Sequence, residues 1–327
     1  MNPLVADCAS DPPLGATSRV LAATRPDEVL IGLAALISDA SAAARPTTAR
    51  VLGRHDDVVD AMRAAVGRLG LEVLVERVAD AWPGRGGTSA ASLVQLADRL
   101  RGLPRRCYLT VAGAVELPSV LAVEPGVTVA ELVMRAGGAS GEDWVAVAGG
   151  APLGRLAERS AVAEELGELL LILPAGHQVV RRLRTPLAVW LQRAASVCGG
   201  CQACSDACPE WLDGAELRPS DLVRALVAGA TPSPSVWACT GCGLCDALCP
   251  TQLSPRALVA AVRAGLSDET IEVAAEDERR RRALRYKTRT SLPPGVAPPW
   301  SPPHGLDLAL LTTRLGLSLY ERPVRTL

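Results

Sequence analysis

The chain of 327 residues has no phenylalanine, only three tyrosines and a single lysine, Lys287, so nearly all of its positive charge is arginine. A core without phenylalanine has to be filled by Ala, Leu and Val, with little aromatic volume. The arginine bias fits codon usage in a GC-rich genome better than it fits a function. Long apolar runs are also missing. The longest aliphatic stretch, Leu169 to Leu173, is far below the roughly 20 residues that span a bilayer as a helix. The N-terminus lacks a basic segment followed by an apolar one, so no secretory signal is read there. A net charge of -1 gives no reason to expect a nucleic-acid or anionic-membrane partner. The three histidines, His55, His177 and His304, are too scattered to form a site. These absences leave a cytoplasmic chain of two or three domains with no transmembrane segment.

Cysteine is what the chain does contain. Eight of its ten cysteines form two copies of C-x-x-C-x-x-C-x-x-x-C-P: Cys198, Cys201, Cys204 and Cys208 before Pro209, then Cys239, Cys242, Cys245 and Cys249 before Pro250. This spacing is the bacterial ferredoxin run that holds [4Fe–4S] clusters, and in two-cluster ferredoxins the fourth cysteine of each run ligates the other cluster. The rule predicts one cluster on Cys198, Cys201, Cys204 and Cys249, and a second on Cys239, Cys242, Cys245 and Cys208. Gly199, Gly200, Gly241 and Gly243 suit the partly left-handed backbone of such loops, and a proline after the fourth cysteine turns the chain away. Three readings compete. Structural zinc uses C-x-x-C pairs, usually two of them. Disulfides fit poorly with four cysteines crowded between Cys198 and Cys208 in a chain without a secretory signal. A cluster could also be purely structural.

Residues 1–105 read as α/β. A helix is expected from Asp27 to Ala43, a short strand at Arg50 to Gly53, a helix from Asp56 to about Leu69, and a strand at Leu71 to Val78. A loop at Pro83 to Gly87 precedes a helix capped by Thr88 or Ser89 and ending near Arg101. Residues 106–180 change character. Strands at Cys107–Val115 and Pro118–Val123, a helix capped by Thr128, and strands at Trp144–Ala148 and Glu168–Leu173 follow in the order of a β-grasp module. Residues 181–268 form an α-helical cluster domain, with helices at Thr185–Ser196, Pro219–Val227 and Pro255–Ala264. Residues 269–327 hold a charged helix from Glu276 to Lys287, a proline-rich linker from Pro293 to Pro303, and a helix at about Leu306 to Leu315. The fold class is therefore α/β and α+β multidomain: a partial α/β domain, a β-grasp domain and a ferredoxin-like helical domain.

This order, with Tyr108 to Val115, Gly126 to Leu132, Gly149-Gly150-Ala151-Pro152-Leu153-Gly154 and Arg314 to Tyr320, resembles the C subunit of the Rnf electron-transport complex and the cobalamin reductase of propanediol-utilisation microcompartments. Both are more distantly similar to the NADH-binding flavoprotein subunit of respiratory complex I. The resemblance implies a flavoprotein-like α/β domain, a soluble-ligand-binding β-grasp domain and two [4Fe–4S] clusters. It also implies a flavoprotein or other redox subunit as partner, and a corrinoid enzyme, a microcompartment assembly or a membrane complex as setting. The family's glycine-rich phosphate loop lies ahead of the part this chain matches, and its C-terminal barrel-sandwich domain is missing too, so the chain looks trimmed at both ends. The family's acidic stretch ending Glu-Pro corresponds to Ala6 to Pro12 with its polar residues reduced, and Pro83 to Thr88 lacks the family's Gly-Gly-Glu glutamate. FMN and an NADH site are accordingly not expected. The expected function is relay of single electrons through two clusters between a flavoprotein-linked donor and an acceptor. The competing class is a ligand- or partner-binding β-grasp module with structural or redox-sensing clusters.

Several residues carry open readings. Trp211 and Trp237 either screen the clusters from water or fill a core that lacks phenylalanine. Arg181, Arg182 and Arg184 are either a docking patch or a solvated basic face. Arg279 to Arg282, behind Glu276 to Glu278, suit a helix dipole. Cys8 and Cys107 are expected to be free thiols.

Overall fold

The computed structural model describes residues 4–9, 11–37, 47–52, 55–78, 81–82, 87–151, 154–212, 214–267, 270–274, 276 and 306–326. The chain divides into two compact units: Met1–Leu183 together with Asp307–Leu327, and Arg184–Leu306.

The first unit contains two sheets. Strands β1 (Leu4–Asp7), β2 (Thr47–Leu52), β3 (Leu74–Val78) and β4 (Thr88–Ser89) form a parallel sheet in the order β3-β2-β1-β4. Helices α1 (Thr17–Thr24), α2 (Pro26–Ile37), α3 (Asp56–Leu69) and α4 (Ala90–Leu100) accompany it. Their buried faces, Leu21, Val29, Leu30, Leu33, Val58, Val59, Met62, Leu93 and Val94, make one core. Gly32 lies against the Leu93 backbone, where an added Cβ would come within 2.2 Å of the Leu93 carbonyl oxygen. This close crossing of α2 and α4 requires glycine. Gly70 ends α3 in the left-handed conformation, as the cap of a helix C-terminus prefers.

The second sheet is mixed. Strands β5 (Cys107–Gly113), β6 (Ser119–Val123), β7 (Trp144–Ala148), β8 (Arg155–Ala157), β9 (Leu169–Pro174) and β10 (Arg325–Thr326) lie in the order β10-β6-β5-β9-β7-β8. The central pair β5–β9 is parallel, and antiparallel partners flank it on both sides. Helix α5 (Val129–Arg135) covers one face, started by a capping box between Thr128 and Glu131. Strand β5 is buried along its whole length. Cys107, Leu109 and Val111 face the α5 core, while Tyr108 belongs to the core of the parallel sheet. That two-sided burial fuses the two layers of the unit.

Sequence reasoning missed β1, α1, β8 and β10. It also left the C-terminus as an appendage, whereas Asp307–Leu327 belongs to the first unit. The last helix of the chain spans Leu308–Arg314. Beyond it, Arg322 donates to the carbonyls of Gly113, Val115 and Glu116, and β10 pairs with Ser119 and Val120. His177 Nε2 contacts the Gly316 carbonyl at 3.1 Å, a structural use of that residue. The expected continuation of α2 to Ala43, the loop at 83–86, Pro152 and Leu153, His304, Arg279 to Arg282, the helix beyond Glu276 and the 293–303 linker lie outside the described residues.

The second unit is helical: α6 (Gln178–Arg184) leads into it, and α7 (Leu187–Val197), α8 (Ala203–Asp206), α9 (Pro209–Leu212), α10 (Pro219–Val227), α11 (Leu244–Ala247) and α12 (Pro255–Ala264) build it. Trp190, Leu222, Val223, Val236, Leu258 and Val259 form its core.

The two layers of the first unit are locked by a polar network. Arg25 grips Asp98 through both guanidinium nitrogens, at 3.1 and 2.6 Å, and the Tyr108 hydroxyl donates to Asp98 at 2.6 Å. Burial pushes the Asp98 carboxyl up, but hydrogen bonds from Arg25 and Tyr108 outweigh it and hold its pKa below the ordinary value. Asp98→Ala should therefore destabilise the chain by about 2–3 kcal/mol, because it strands a partly buried arginine and a buried phenol. Tyr108→Phe should cost about 1 kcal/mol. Thermal melting of the full-length variants checks both, and equal effects would show that the network is not centred on Asp98.

Candidate metal centre

Both cysteine runs fold the same way. Two residues after the first cysteine the backbone is left-handed, at Gly200 (φ 67°) and Gly241 (φ 74°), and again four residues after it, at Gln202 (φ 63°) and Gly243 (φ 76°). Glycine carries this conformation without cost at three of the four places. Gln202 adopts it as a side-chain-bearing residue, and Gly199, expected to share the role, does not. Each run then makes one short helix, α8 or α11, which pack against each other. After its run comes a longer helix with proline at its first position, α10 or α12, and these two also pack together.

The thiols gather across the two runs. Burial pushes the Cys204 thiol up to about 11, and the neighbouring sulfurs of Cys249, Cys198 and Cys201 push in the same direction. Burial pushes Cys208 up to about 12, and its sulfur neighbours are Cys242 and Cys239, from the other run. Cys245 is raised by burial, by Asp246, and by Cys242, Cys239 and Cys208. Cys208, Cys239, Cys242 and Cys245 line one hollow with Glu210, Gly241 and Arg256. The fourth cysteine of each run thus stands with the first three of the other.

The surroundings suit anionic sulfur. Backbone N–H groups of Glu210 and Trp211 point at Cys208, that of Leu244 at Cys242, and that of Gly241 at Cys239 Sγ at 3.3 Å. Arg263 donates to the Cys239 carbonyl at 2.7 Å, and Arg256 and Arg263 both lie within electrostatic reach of the Cys239 thiol. Trp211 packs on the unit's core beneath the Arg218 guanidinium, 4.7 Å from its ring centre. Among the described residues no three His, Cys, Asp or Glu side chains draw together as ligands of a single metal ion. None of the ten cysteines is in a disulfide.

Residues 197–253 match the model of the 4Fe–4S dicluster domain. The chain is thus an iron–sulfur protein of the electron-transport class. It is 37% identical over 157 residues to cobalamin reductase PduS of Citrobacter freundii, and 35% identical over 157 residues to that of Salmonella typhimurium. In both cases the match covers 46% of this chain and 35% of the relative, so the chain spans about a third of the length of the curated relatives it matches. A protein of Archaeoglobus profundus that resembles the C subunit of heterodisulfide reductase is 33% identical over 76 residues, 22% of this chain and 40% of that one. Among solved structures, an NAD+-reducing [NiFe]-hydrogenase chain in the air-oxidized state aligns with 81% of this chain and 57% of its own length. Its TM-score is 0.44 at 17% identity.

A second place in the fold concerns the flavin that the family resemblance raises. In the parallel sheet the strand order reverses between β1 and β4, and ligands of such sheets bind beyond the carboxyl ends of the strands at that point. Here the position is occupied by acid. Asp7, which ends β1, and Cys8, which follows it, are buried, and the buried Asp11 caps α1 through the N–H groups of Ser18 and Arg19. Glu168, in the turn before β9, accepts from the Ser89 hydroxyl at the start of α4. Burial raises the Cys8 thiol and the Asp11 carboxyl, and pushes Glu168 up to about 7. Among the described residues the side chains buried at this crevice are carboxylates, where a flavin phosphate needs donors.

Glu168 gives this crevice a measurable signature. Its folded-state pKa lies above the ordinary 4.5, so the folded state binds the proton more tightly than the unfolded chain does. The stability it contributes is full below about pH 4.5 and is lost as pH rises through about 7, by on the order of 3 kcal/mol. Glu168→Gln should remove most of this dependence and should stabilise the chain at pH 8. Melting temperatures of both proteins between pH 4.5 and 8 decide it, and parallel profiles would rule the assignment out.

Proposed function

We propose that this chain relays electrons one at a time through two [4Fe–4S] clusters. One is held by Cys198, Cys201, Cys204 and Cys249, the other by Cys239, Cys242, Cys245 and Cys208. The crossed grouping of the thiols carries this reading. Each bound cluster supplies a one-electron couple; position, solvation and surrounding charge come from the chain. The exchange of fourth cysteines sets the two sites side by side, which suits transfer between them. Backbone N–H groups aimed at sulfur favour the charged thiolate. Burial of Cys208 and Cys245 excludes water from the second site, whereas Cys198 and Cys201 are exposed. The first site is therefore where a redox partner would exchange electrons with the chain.

The partner would be a flavoprotein or another redox subunit, since the crevice of the parallel sheet does not suit FMN. The similarity to cobalamin reductases favours a corrinoid as the final acceptor. An Rnf-like setting would place another protein of a membrane complex there instead.

Protein purified anaerobically should contain about eight iron and eight sulfide per chain, as two cubanes require. Stoichiometric zinc with negligible sulfide would defeat the proposal. Cys208→Ser should alter the spectroscopic signal of the cluster on Cys239, Cys242 and Cys245, and Cys249→Ser that of the other cluster. The reverse outcome would mean that each run serves itself.

A separate measurement addresses the donor. Adding NADH and FMN anaerobically should leave the clusters oxidised, while dithionite bleaches them. Rapid bleaching by NADH, with FMN retained through gel filtration, would reveal a flavin site in this chain.

A further inference from the structure

The two halves of the second unit solve one structural problem with different chemistry. In each half the residue after the third cysteine caps the helix that follows the run. In the first half this is Ser205, whose Oγ accepts from the Ser220 N–H at 3.0 Å and bonds the Ser220 hydroxyl at 2.8 Å. Ser220 is the second residue of α10, directly after Pro219. In the second half it is Asp246, whose Oδ1 accepts from the Arg256 N–H at 2.9 Å and whose Oδ2 accepts from the Ser254 hydroxyl at 2.6 Å. Arg256 is likewise the second residue of α12, directly after Pro255.

The matched amide is therefore capped by a neutral hydroxyl in one half and by a carboxylate in the other. Since Ser205 performs the task without charge, the charge of Asp246 is surplus to the cap. It is also well placed to act on the cluster site. Asp246 is 2% exposed, and its Oδ1 lies 3.8 Å from Cys245 Sγ. A charge withdrawn from water is screened far less than one at the surface. The carboxylates near the first half are by contrast open to water: Asp206 is exposed, and Asp221 is half-buried and paired with Arg218 and Arg224.

We propose that Asp246 makes the two clusters electrochemically unequal, by fixing a buried negative charge beside Cys245 where the other half carries the neutral Ser205. This rests on the two-cluster reading above. Adding one electron makes a cluster site one unit more negative, with no bond made or broken, so a fixed neighbouring anion opposes reduction. Other charges face the same site. Glu210 acts in the same sense as Asp246 on Cys239 and Cys242, and Arg256 and Arg263 oppose it at Cys239. The Arg256 Nε is 3.9 Å from Asp246 Oδ2 and offsets part of its field.

Asp246→Asn tests the idea with little change of shape. The amide oxygen can still accept from the Arg256 N–H, and the amide nitrogen can donate to Ser254 Oγ. The reconstituted full-length chain is titrated anaerobically and followed by electron paramagnetic resonance, with Cys208→Ser identifying the signal of the Cys245 cluster. In Asp246→Asn the reduced-to-oxidised ratio of that cluster at a fixed potential should rise about tenfold, which is about 59 mV for one electron, while the other cluster keeps its midpoint. Arg256→Gln should move the same midpoint in the opposite direction. Unchanged midpoints, equal shifts of both, or a shift confined to the Cys198 cluster would each overturn the inference. If Asp246→Asn fails to hold iron, the reciprocal variant Ser205→Asp decides the matter: it should lower the midpoint of the Cys198 cluster, and an unchanged midpoint there overturns the inference. Wild-type protein with far fewer than eight iron would defeat the two-cluster reading itself, and this inference with it.

Discussion

Four sulfurs cannot share a buried hollow as bare thiolates. Each pays for leaving water, and each is repelled by the others. Both effects appear at Cys204, Cys208 and Cys245, whose thiols are pushed upward first by burial and then by neighbouring charge, sulfur included. A cationic centre reverses the balance, so metal binding and folding of such a site are coupled. In the crossed ligation we propose, Cys208 and Cys249 would extend that coupling through the whole second unit, because neither run would complete a set alone. Cys208, Cys239 and Cys249 also touch the same apolar core as Trp190, Leu222 and Val259. What the sulfurs hold therefore bears directly on the packing of α7, α10 and α12.

The cluster domain was legible from the cysteine spacing, because geometry at a cluster loop depends on residues only three apart. Most elements of the first unit were legible as well: α3, α4 and α5 carry strong periodicity or clear caps, and β5, β6, β7 and β9 are runs of apolar residues. The misses share a cause. Strands β1 and β10 are only four and two residues long, and their partners are far away in sequence, so nothing local marks them. Helix α1 starts at Thr17 after a Pro-Pro-Leu-Gly stretch, and its cap, Asp11, reaches it from well upstream. The left-handed Gln202 was invisible for a different reason. Glycine was the expected residue there, and the position is recognisable only by its match to Gly243.

The first unit shows how a chain without phenylalanine fuses two layers. Strand β5 presents Leu109 and Val111 to one core and Tyr108 to the other, so a single strand of modest side chains serves both. Polar groups at the seam are satisfied in pairs. Thr110 Oγ1 accepts from the Ala16 N–H at 3.0 Å and meets Thr17 Oγ1 at 2.8 Å, and Thr17 Oγ1 donates to the Glu168 carbonyl at 2.8 Å. The same seam brings the Glu168 carboxylate against Ser89. At this seam a position that a parallel sheet ordinarily offers to a ligand is instead lined by buried acid, and the layer holds together through its own core and these hydrogen bonds.

The second unit separates what folding requires from what electron transfer can exploit. Folding requires an acceptor for one buried amide at the start of α10 and one at the start of α12. An unmet buried amide there would cost about 1–3 kcal/mol. Ser205 and Asp246 both meet that demand, so stability alone does not choose between them. The carboxylate must in addition be sheltered by Ser254 and balanced by Arg256, an arrangement the hydroxyl does not need. A buried charge with dedicated partners, in one of two otherwise equivalent places, is costly as packing. In the relay we propose, its effect would fall on the cluster bound through the sulfur 3.8 Å away. Duplicate loops with unequal electrostatics can give an electron a preferred side, which two identical sites cannot do.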